Sequence, residues 1–329
     1  MILSSKAKDV KSKGKPRIGY SLFFNFLKKH LDIHYTVFKK TLLFDLFNRW
    51  KFFLVIVLMV IMPVIWILLL NASYLTDHSS LNENLGMAHI FFSYLTVLPF
   101  ILIYSSASLI SDELKSGTLL LLVSKPISRG EITCGKYFAM LMYNIIISSI
   151  SLGFVCLIAF LKHPFYDMIS FFWTQFFFSL IVIIFFGTIT MGFSMLFRNI
   201  KTAALIPLML LLIMIFLFFI VRPFLMMPSS NGEIYYEVFQ MYNYDLGYHF
   251  MNIYTWIYET FISGLPEGMI RWLQSWGIYT IEYNELFPEL EIFNKTNYQP
   301  PHISLLIILI FALIIFIIGF IIYKRRDIS

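Results

Sequence analysis

Long apolar runs dominate the hydrophobic pattern of this chain. Six of them reach the length of about 20 helical residues that is needed to cross a hydrocarbon core of about 30 Å. They cover roughly residues 51–71, 87–110, 136–161, 169–197, 202–221 and 302–323, and none has an acidic or basic residue deep in its interior. Continuous runs of this length exclude a closed β-barrel, whose strands alternate. The pattern therefore predicts an all-α integral membrane protein with six transmembrane helices.

The polar segments before the first run predict two different structures. Residues 1–19 are basic and poor in apolar side chains, which is typical of a disordered tail. Within residues 20–50, polar and apolar positions recur at helical spacing, so this segment is predicted to be an amphipathic helix in the membrane interface. The polar sector of that helix contains Lys28, Lys29, Asp32, Thr36, Lys39 and Lys40.

The distribution of positive charge predicts the orientation of the helices. The chain is 59% hydrophobic and only 13% charged, so the bilayer is its solvent. Of its 25 Lys and Arg residues, 21 lie in the segment up to Lys51, between residues 111 and 136, in 198–201 and in 324–329. Because positively charged loops stay in the cytoplasm, both termini are predicted to be cytoplasmic. The protein is expected to be a multi-pass protein of the plasma membrane.

This orientation divides the chain into predicted regions. They are a basic tail (1–19), an interfacial helix (20–50), a transmembrane domain (51–323) and a cytoplasmic tail (324–329). The transmembrane domain includes a cytoplasmic segment (111–131) and an extracytoplasmic region (222–301). Because aromatic residues recur at helical spacing in the extracytoplasmic region, it is predicted to be a small helical region of two or three short helices. Two interpretations of it stay open, a structural cap at headgroup level and an aromatic surface for an amphipathic ligand.

No catalytic pattern is present in the sequence. The chain lacks a phosphate-binding Gly-x-x-x-x-Gly-Lys-Ser/Thr loop, a His-Glu-x-x-His zinc motif and a Gly-x-Ser-x-Gly nucleophile elbow. His30 and His34 have the spacing of two metal ligands on one helix, but no third ligand is nearby. Cys134 and Cys156 do not suggest a disulfide framework. We therefore predict that the chain is not an enzyme by itself and carries no cofactor, no metal and no nucleic acid.

Residues 111–131 form a polar island between the second and third apolar runs. Asp112 and Glu113 begin it, whereas Lys125 and Arg129 end it, and Leu119 to Val123 supply an apolar stripe between them. A short amphipathic helix with charged ends fits a groove on a soluble domain, with its charges holding the register. The alternative is an interfacial helix that merely connects two spans.

The polar island also carries a family resemblance. The pattern Glu113-x-x-x-Gly117-Thr118-Leu, then Leu-x-Ser124-x-Pro126-x-Ser128-Arg129, then Gly135-Lys136 resembles the membrane subunits of type-2 ABC transporters. It is most similar to the permeases of multidrug, sodium and copper-processing export systems. Six spans, cytoplasmic termini and an N-terminal amphipathic helix agree with this family. The long basic N-terminus and the sizeable region between spans five and six depart from it.

The resemblance implies a function, a partner and a site. The chain is expected to be the permease subunit of an ATP-driven exporter, paired with a second copy or a related permease. A separate ABC ATPase subunit is expected to bind ATP and magnesium and to dock on the coupling segment, residues 111–131. The residues that the resemblance assigns to this docking interface are Glu113, Gly117, Thr118, Pro126, Ser128 and Arg129.

Two other classes of function stay open at this stage. A non-transporting scaffold or signalling subunit would use the external aromatic region as its binding module and would need no ATPase. A secondary carrier ranks third, because no carboxylate lies in the middle of a span, where such groups mark ion paths. The sequence leaves the transported substrate open.

Overall fold

The computed structural model describes residues 32–46, 49–69, 85–116, 128–162, 168–227, 234–262, 264–283 and 291–326. Most of them are helical. In chain order the helices are α1 (32–46), α2 (Arg49–Leu69), α3 (Leu85–Ser116), α4 (Arg129–Lys162), α5 (Met168–Leu196), α6 (200–225), α7 (Tyr235–Val238), α8 (Leu246–Phe261), α9 (Glu267–Gln274) and α10 (Pro301–Arg325). The two strands are β1 (Tyr279–Tyr283) and β2 (Glu291–Lys295).

Four helices are long and apolar enough to cross a membrane, namely α3, α4, α5 and α10. They correspond to the second, third, fourth and sixth predicted spans. The first and fifth correspond to α2 and α6, whose apolar stretches within the described residues are shorter, Phe53–Ile65 and Ile200–Leu211. The prediction of an all-α integral membrane protein is thus confirmed, while six crossings and cytoplasmic termini stay predictions.

Helix α5 lies at the centre of the bundle. It packs against α3, α4, α6, α8 and α10, and its buried positions lie on all of its faces. Its crossing with α10 is especially close, because a Cβ added at Gly192 would lie 2.9 Å from the carbonyl oxygen of Ile315. Small residues at such a crossing let the two backbones come into contact. In lipid the hydrophobic effect does not drive helices together, and this close van der Waals packing drives their association instead.

Three stretches of the helices have π-helical hydrogen bonding: Thr41–Leu46 in α1, His89–Val97 in α3 and Leu212–Leu217 in α6. The second stretch ends just before Pro99, whose ring removes one backbone donor and crowds the preceding turn. Widening that turn is one way in which a membrane helix accommodates proline. The structure therefore shows a change of helical register just before this proline.

Helix α1 lies against α4. Asp32, Thr36 and Lys39 are exposed, whereas Val37 faces α4 so closely that a Cβ at Gly135 would lie 2.9 Å from it. The predicted basic tail and the first part of the predicted interfacial helix, including His30, lie outside the described residues. The location of α1 in the interface stays a prediction.

The region between α6 and α10 contains more than the helices that the aromatic spacing indicates. Helices α7, α8 and α9 are present, and the described part also includes an antiparallel pair of strands, with Tyr279 opposite Lys295 and Tyr283 opposite Glu291. The sequence analysis missed this pair. Each strand has only five residues. In β1, Tyr279, Ile281 and Tyr283 alternate with Thr280 and Glu282, but an alternation over so few positions is a weak signal.

Candidate functional site

The candidate site is the end of the bundle where α3 stops and α4 begins, since these helices flank the predicted coupling segment. Helix α3 continues to Ser116, and α4 starts at Arg129, so both are longer than the apolar runs that predicted them. Glu113, Ser128 and Arg129 are therefore described. The other predicted docking residues, Gly117, Thr118 and Pro126, lie outside the described residues, and their role stays a prediction.

Glu113 forms an ion pair with Lys136, one turn from the end of α3. The Lys136 Nζ lies 2.7 Å from the Glu113 Oε2, and it also donates to the carbonyl oxygen of Leu109. Lys136 is almost fully buried, and the Glu113 side chain is only 18% exposed. The pair therefore connects the end of α3 to the first turns of α4 in a place that is largely shielded from bulk water.

Ser128 and Glu131 form a reciprocal cap at the start of α4. The Ser128 backbone N–H donates to the Glu131 Oε2 at 2.7 Å, and the Glu131 backbone N–H donates to the Ser128 Oγ at 3.2 Å. This arrangement satisfies two donors that a helix start leaves open. The spacing Ser-x-x-Glu is its sequence signal, which the sequence analysis did not use.

Arg129 reaches across to the C-terminal end of α10. Its Nη1 donates to the carbonyl oxygens of Tyr323 (2.7 Å), Lys324 (3.2 Å) and Arg326 (2.7 Å). The guanidinium also lies over the ring of Tyr323, 5.7 Å from its centre. A cation at a helix C-terminus satisfies open carbonyl groups and interacts favourably with the helix dipole. Arg129 thus joins the end of the coupling segment to the last helix.

Two further contacts bring α5 into the same network. The Ser194 Oγ accepts from the backbone N–H groups of Ile110 and Ser111, both at 3.1 Å, and donates to the carbonyl oxygen of Ala107 at 2.9 Å. Arg326 donates through its Nη2 to the carbonyl oxygen of Leu196 at 2.7 Å. Burial, together with repulsion from the neighbouring Arg198, lowers the pKa of Arg326.

These contacts make one cross-linked unit, which we call the anchored end of the bundle. It consists of the contacting residues of α3, α4, α5 and α10: Ala107, Leu109, Ile110, Ser111, Glu113, Ser128, Arg129, Glu131, Lys136, Ser194, Leu196, Tyr323, Lys324 and Arg326. Within the described residues no group of three or more His, Cys, Asp or Glu side chains could hold a metal ion. The arrangement suits mechanical transmission, because a displacement of the coupling segment would act on four packed helices together.

A second buried polar network lies near the opposite end of α10, and the sequence analysis missed it. Arg222, the first residue of the predicted extracytoplasmic region, is fully buried with Asp245. The Arg222 Nε donates to the Asp245 Oδ2 at 2.6 Å, and its Nη1 donates to the carbonyl oxygen of Ser275 at 2.8 Å. The Tyr236 hydroxyl donates to the same carboxylate at 2.9 Å. The guanidinium also lies 5.2 Å from the ring centre of Trp276.

The carboxylate of Asp245 has a second role, since its Oδ1 accepts from the backbone N–H of Tyr248 and caps α8. We call Arg222, Tyr236, Asp245, Ser275 and Trp276 the Arg222 hub. It connects the end of α6 with α7, α8 and the turn after α9. Position 222 follows an apolar run, and nothing in hydrophobic periodicity indicates that a charge there is buried.

Helix α8 is also joined to the start of α10. The His249 Nδ1 lies 3.0 Å from the Ser304 Oγ, and the Asn252 Nδ2 donates to the same oxygen at 2.9 Å and to the carbonyl oxygen of Gln299 at 2.8 Å. Burial lowers the pKa of His249. Helix α10 therefore carries polar contacts at both ends, to the anchored end at its C-terminus and to α8 at its N-terminus.

Comparison with known proteins agrees with this architecture. Residues 38–328 match the model of a family described as ABC-2 family transporter protein. That match begins in α1 and includes the anchored end, the Arg222 hub and all of α10. No curated protein matches the chain at a significant level.

Proposed function

This chain belongs to the ABC-2 family of transporter proteins, and we propose that within it the chain is the permease subunit of an ATP-driven exporter in the plasma membrane. It lines the translocation pathway together with a second copy or a related permease. A separate ABC ATPase subunit, which binds ATP and magnesium, docks on residues 111–131. The chain itself supplies the membrane path and performs no catalysis.

The anchored end carries this proposal. A segment that only connected two spans would need no fixed relation to the remaining helices. Instead, Glu113 and Arg129, which lie near the two ends of the coupling segment, are each held by another part of the bundle. Arg129 alone contacts three carbonyl groups near residue 324, far away in the sequence. A push on the segment would therefore reach α4, α5 and α10 as a rigid-body movement.

In this proposal the predicted docking residues have different tasks. Glu113 and Arg129 have intramolecular partners, so they act as positioning residues that hold the segment in place. Ser128 caps α4. The exposed side chains of Asp112 and Lys115, at the end of α3, are better placed to meet a soluble partner.

The double variant Glu113→Ala/Arg129→Ala tests the proposal. It removes both anchors, so we expect less ATPase subunit to co-purify and a loss of substrate-stimulated ATP hydrolysis, while membrane insertion is preserved. The matched control is Glu267→Ala/Arg271→Ala, which removes the exposed pair of Glu267 with Arg271 on α9 and also the contact of Arg271 with Glu291. Exposed pairs contribute about 0–1 kcal/mol, so the control is expected to behave like the wild type.

Two measurements complete the test. The tagged wild-type protein, purified in mild detergent, should bring one ATP-hydrolysing subunit per permease. A preparation free of any ATPase, also after cross-linking, would contradict the permease assignment. Unchanged ATPase recovery in the folded double variant would contradict the placement of the docking site at residues 111–131 and leave the permease assignment standing.

A further inference from the structure

An apolar groove lies on the surface of the bundle beside the anchored end. It has a volume of about 290 Å³ and runs between α4 and α10 over α5. Gly130 and Cys134 line its α4 wall, Phe316 and Phe320 line its α10 wall, and Thr188 lies at its floor. The floor offers no open polar group to a ligand, because the Thr188 hydroxyl is hydrogen-bonded to the Tyr137 hydroxyl at 2.8 Å and to the carbonyl oxygen of Ile184.

The groove faces the hydrocarbon part of the membrane. Phe138 and Leu313, on its two rims, are 54% and 49% exposed, and both belong to helices that are apolar enough to span a bilayer. A Cβ at Gly130 would lie 3.7 Å from the ring of Phe320, at ordinary van der Waals distance, so a larger side chain at this position would extend into the mouth of the groove. The chemistry of the groove therefore fits an acyl chain.

Two basic residues lie where the headgroup of such a lipid would be. Lys324 and Arg325 are exposed in the last turn of α10 and line a neighbouring cavity of about 450 Å³ that shares Phe320 with the groove. At 1.5 Å per residue, Lys324 lies about 12 Å along the helix from Phe316. In a phospholipid, the headgroup is separated from the acyl chain by a distance of this order, along the same direction as the helix axis. Among the described residues, neither side chain takes part in an ion pair.

We propose that the groove between α4 and α10, with Lys324 and Arg325 at its end, binds an anionic phospholipid. Charge complementarity identifies the occupant, because the two basic side chains attract a negative headgroup and the groove excludes polar ligands. Two other cations nearby, Arg129 and Arg326, are engaged with carbonyl groups, and Arg198 lies next to Arg326. A bound lipid would lie against α10 beside the anchored end, where it could stabilise the contacts of Arg129.

A native cysteine makes the site measurable. The Cys134 thiol is partly exposed in the groove, whereas Cys156 is buried, and the chain has no other cysteine. The protein is placed in nanodiscs of phosphatidylcholine alone or of phosphatidylcholine and phosphatidylglycerol in equal parts. The rate of alkylation of Cys134 by N-ethylmaleimide is followed by mass spectrometry, with Cys156 as the internal reference. We expect phosphatidylglycerol to slow the alkylation of Cys134 several-fold.

Variants separate specific binding from a general surface effect. An anionic membrane also concentrates protons and slows thiol alkylation everywhere on its surface, and that effect would persist in Lys324→Gln/Arg325→Gln. Specific binding would be lost in this variant, with at least about a tenfold loss of lipid affinity. It would be retained in Lys39→Gln/Lys40→Gln, an exposed basic pair on α1. Gly130→Leu, which fills the mouth of the groove, should remove the effect without changing any charge.

Each outcome decides the proposal. Slower alkylation that depends on phosphatidylglycerol, on Lys324 and Arg325 and on Gly130 supports it. Equal alkylation rates in both nanodiscs overturn it, because the occupant would then not be selected by charge. A slowing that persists in Lys324→Gln/Arg325→Gln also overturns it, because it would then report surface potential alone.

Discussion

The ion pair between Arg222 and Asp245 has no contact with solvent. Removing water from two charges costs several kcal/mol for each, and the Arg222 hub offsets this cost with hydrogen bonds to both charged groups. The pair is therefore sensitive to the loss of one partner. The remaining charge would stay buried without compensation, whereas loss of both charges would leave a neutral site.

We expect Arg222→Met to destabilise the protein by about 3–5 kcal/mol, because the Asp245 carboxylate would remain buried without its counter-charge. Adding Asp245→Asn to that variant should restore part of the stability, since an asparagine still caps α8 and carries no charge. Thermal unfolding in detergent would measure both changes. If the double variant is less stable than Arg222→Met, the loss does not arise from an uncompensated charge.

His249 predicts a dependence of stability on pH. Burial lowers its pKa below the ordinary value of 6.5, so the unfolded chain binds a proton here more readily than the folded protein does. Above about pH 6.5 the imidazole is neutral in both states, so it does not lower the free energy of unfolding. As the pH falls below that value, the unfolded chain takes up the proton first, and the free energy of unfolding decreases. His249→Gln should make the melting temperature less sensitive to acid over this interval.

The control for that prediction is His302→Gln, at an exposed position near the start of α10. It should leave the acid sensitivity of the melting temperature unchanged. Equal effects of the two substitutions would show that the buried position of His249 is not the cause.

The residues of the candidate site could be predicted only in part. The family resemblance implies Glu113, Ser128 and Arg129 as docking residues, and in the structure all three lie in the anchored end. Their partners could not be found in the same way. Arg129 contacts Tyr323 across 194 residues of sequence. Its acceptors are backbone carbonyl groups, which every residue has, so the residue types do not indicate which ones it contacts. The cap formed by Glu131 is local, so its Ser-x-x-Glu spacing was a usable signal.

At the scale of the elements, the sequence predicted best those helices that consist almost entirely of apolar residues. The runs at 136–161, 169–197 and 302–323 correspond to α4, α5 and α10, whose length alone identifies them. The helix ends were less predictable. Helix α3 continues beyond residue 110 and α4 begins before residue 136, because Glu113, Ser128 and Lys136 satisfy polar groups there. Hydrophobicity marks where a span leaves lipid, which is not where the helix ends.

The crossing of α5 and α10 makes an element-scale prediction. Gly319 lies against the backbone of Gly192 so closely that an added Cβ would be 3.0 Å from its Cα atom. Because neither backbone can rotate away as a side chain could, Gly319→Ala must push the two helices apart. We expect a loss of about 1–3 kcal/mol in stability, the usual range for overpacking.

Gly153→Ala in α4 is the matched control. A Cβ at Gly153 would meet nothing within 4 Å, and alanine has a higher helix propensity than glycine, by about 1 kcal/mol. This substitution should leave the melting temperature unchanged or raise it. A loss of stability equal to that of Gly319→Ala would indicate a general sensitivity to glycine replacement in these helices.

At the scale of the whole molecule, α10 connects the anchored end to the region between α6 and α10. Arg129 holds its C-terminal end, α5 packs along its length, and Ser304 near its N-terminal end contacts His249 and Asn252 of α8. A helix is stiff along its axis, so a movement imposed at one end of α10 displaces the other. Under the proposed function, ATP binding by the partner would change the contacts of α8 through this helix.

Arg129→Lys tests that connection. A lysine keeps the charge but, as a compact point charge on a flexible stem, cannot reproduce the planar guanidinium that bridges the three carbonyl groups of α10. The ion pair of Glu113 with Lys136 remains, so the ATPase subunit should still bind. We expect ATP to change the amide hydrogen exchange of α8 and α9 in the wild-type complex and to change it much less in Arg129→Lys. Arg271→Lys, at a side chain of α9 that is 46% exposed, is the control that should respond as the wild type does. The opposite outcome is an equal change of amide hydrogen exchange in the Arg129→Lys and wild-type complexes. It would show that the movement reaches the region between α6 and α10 by a route other than α10.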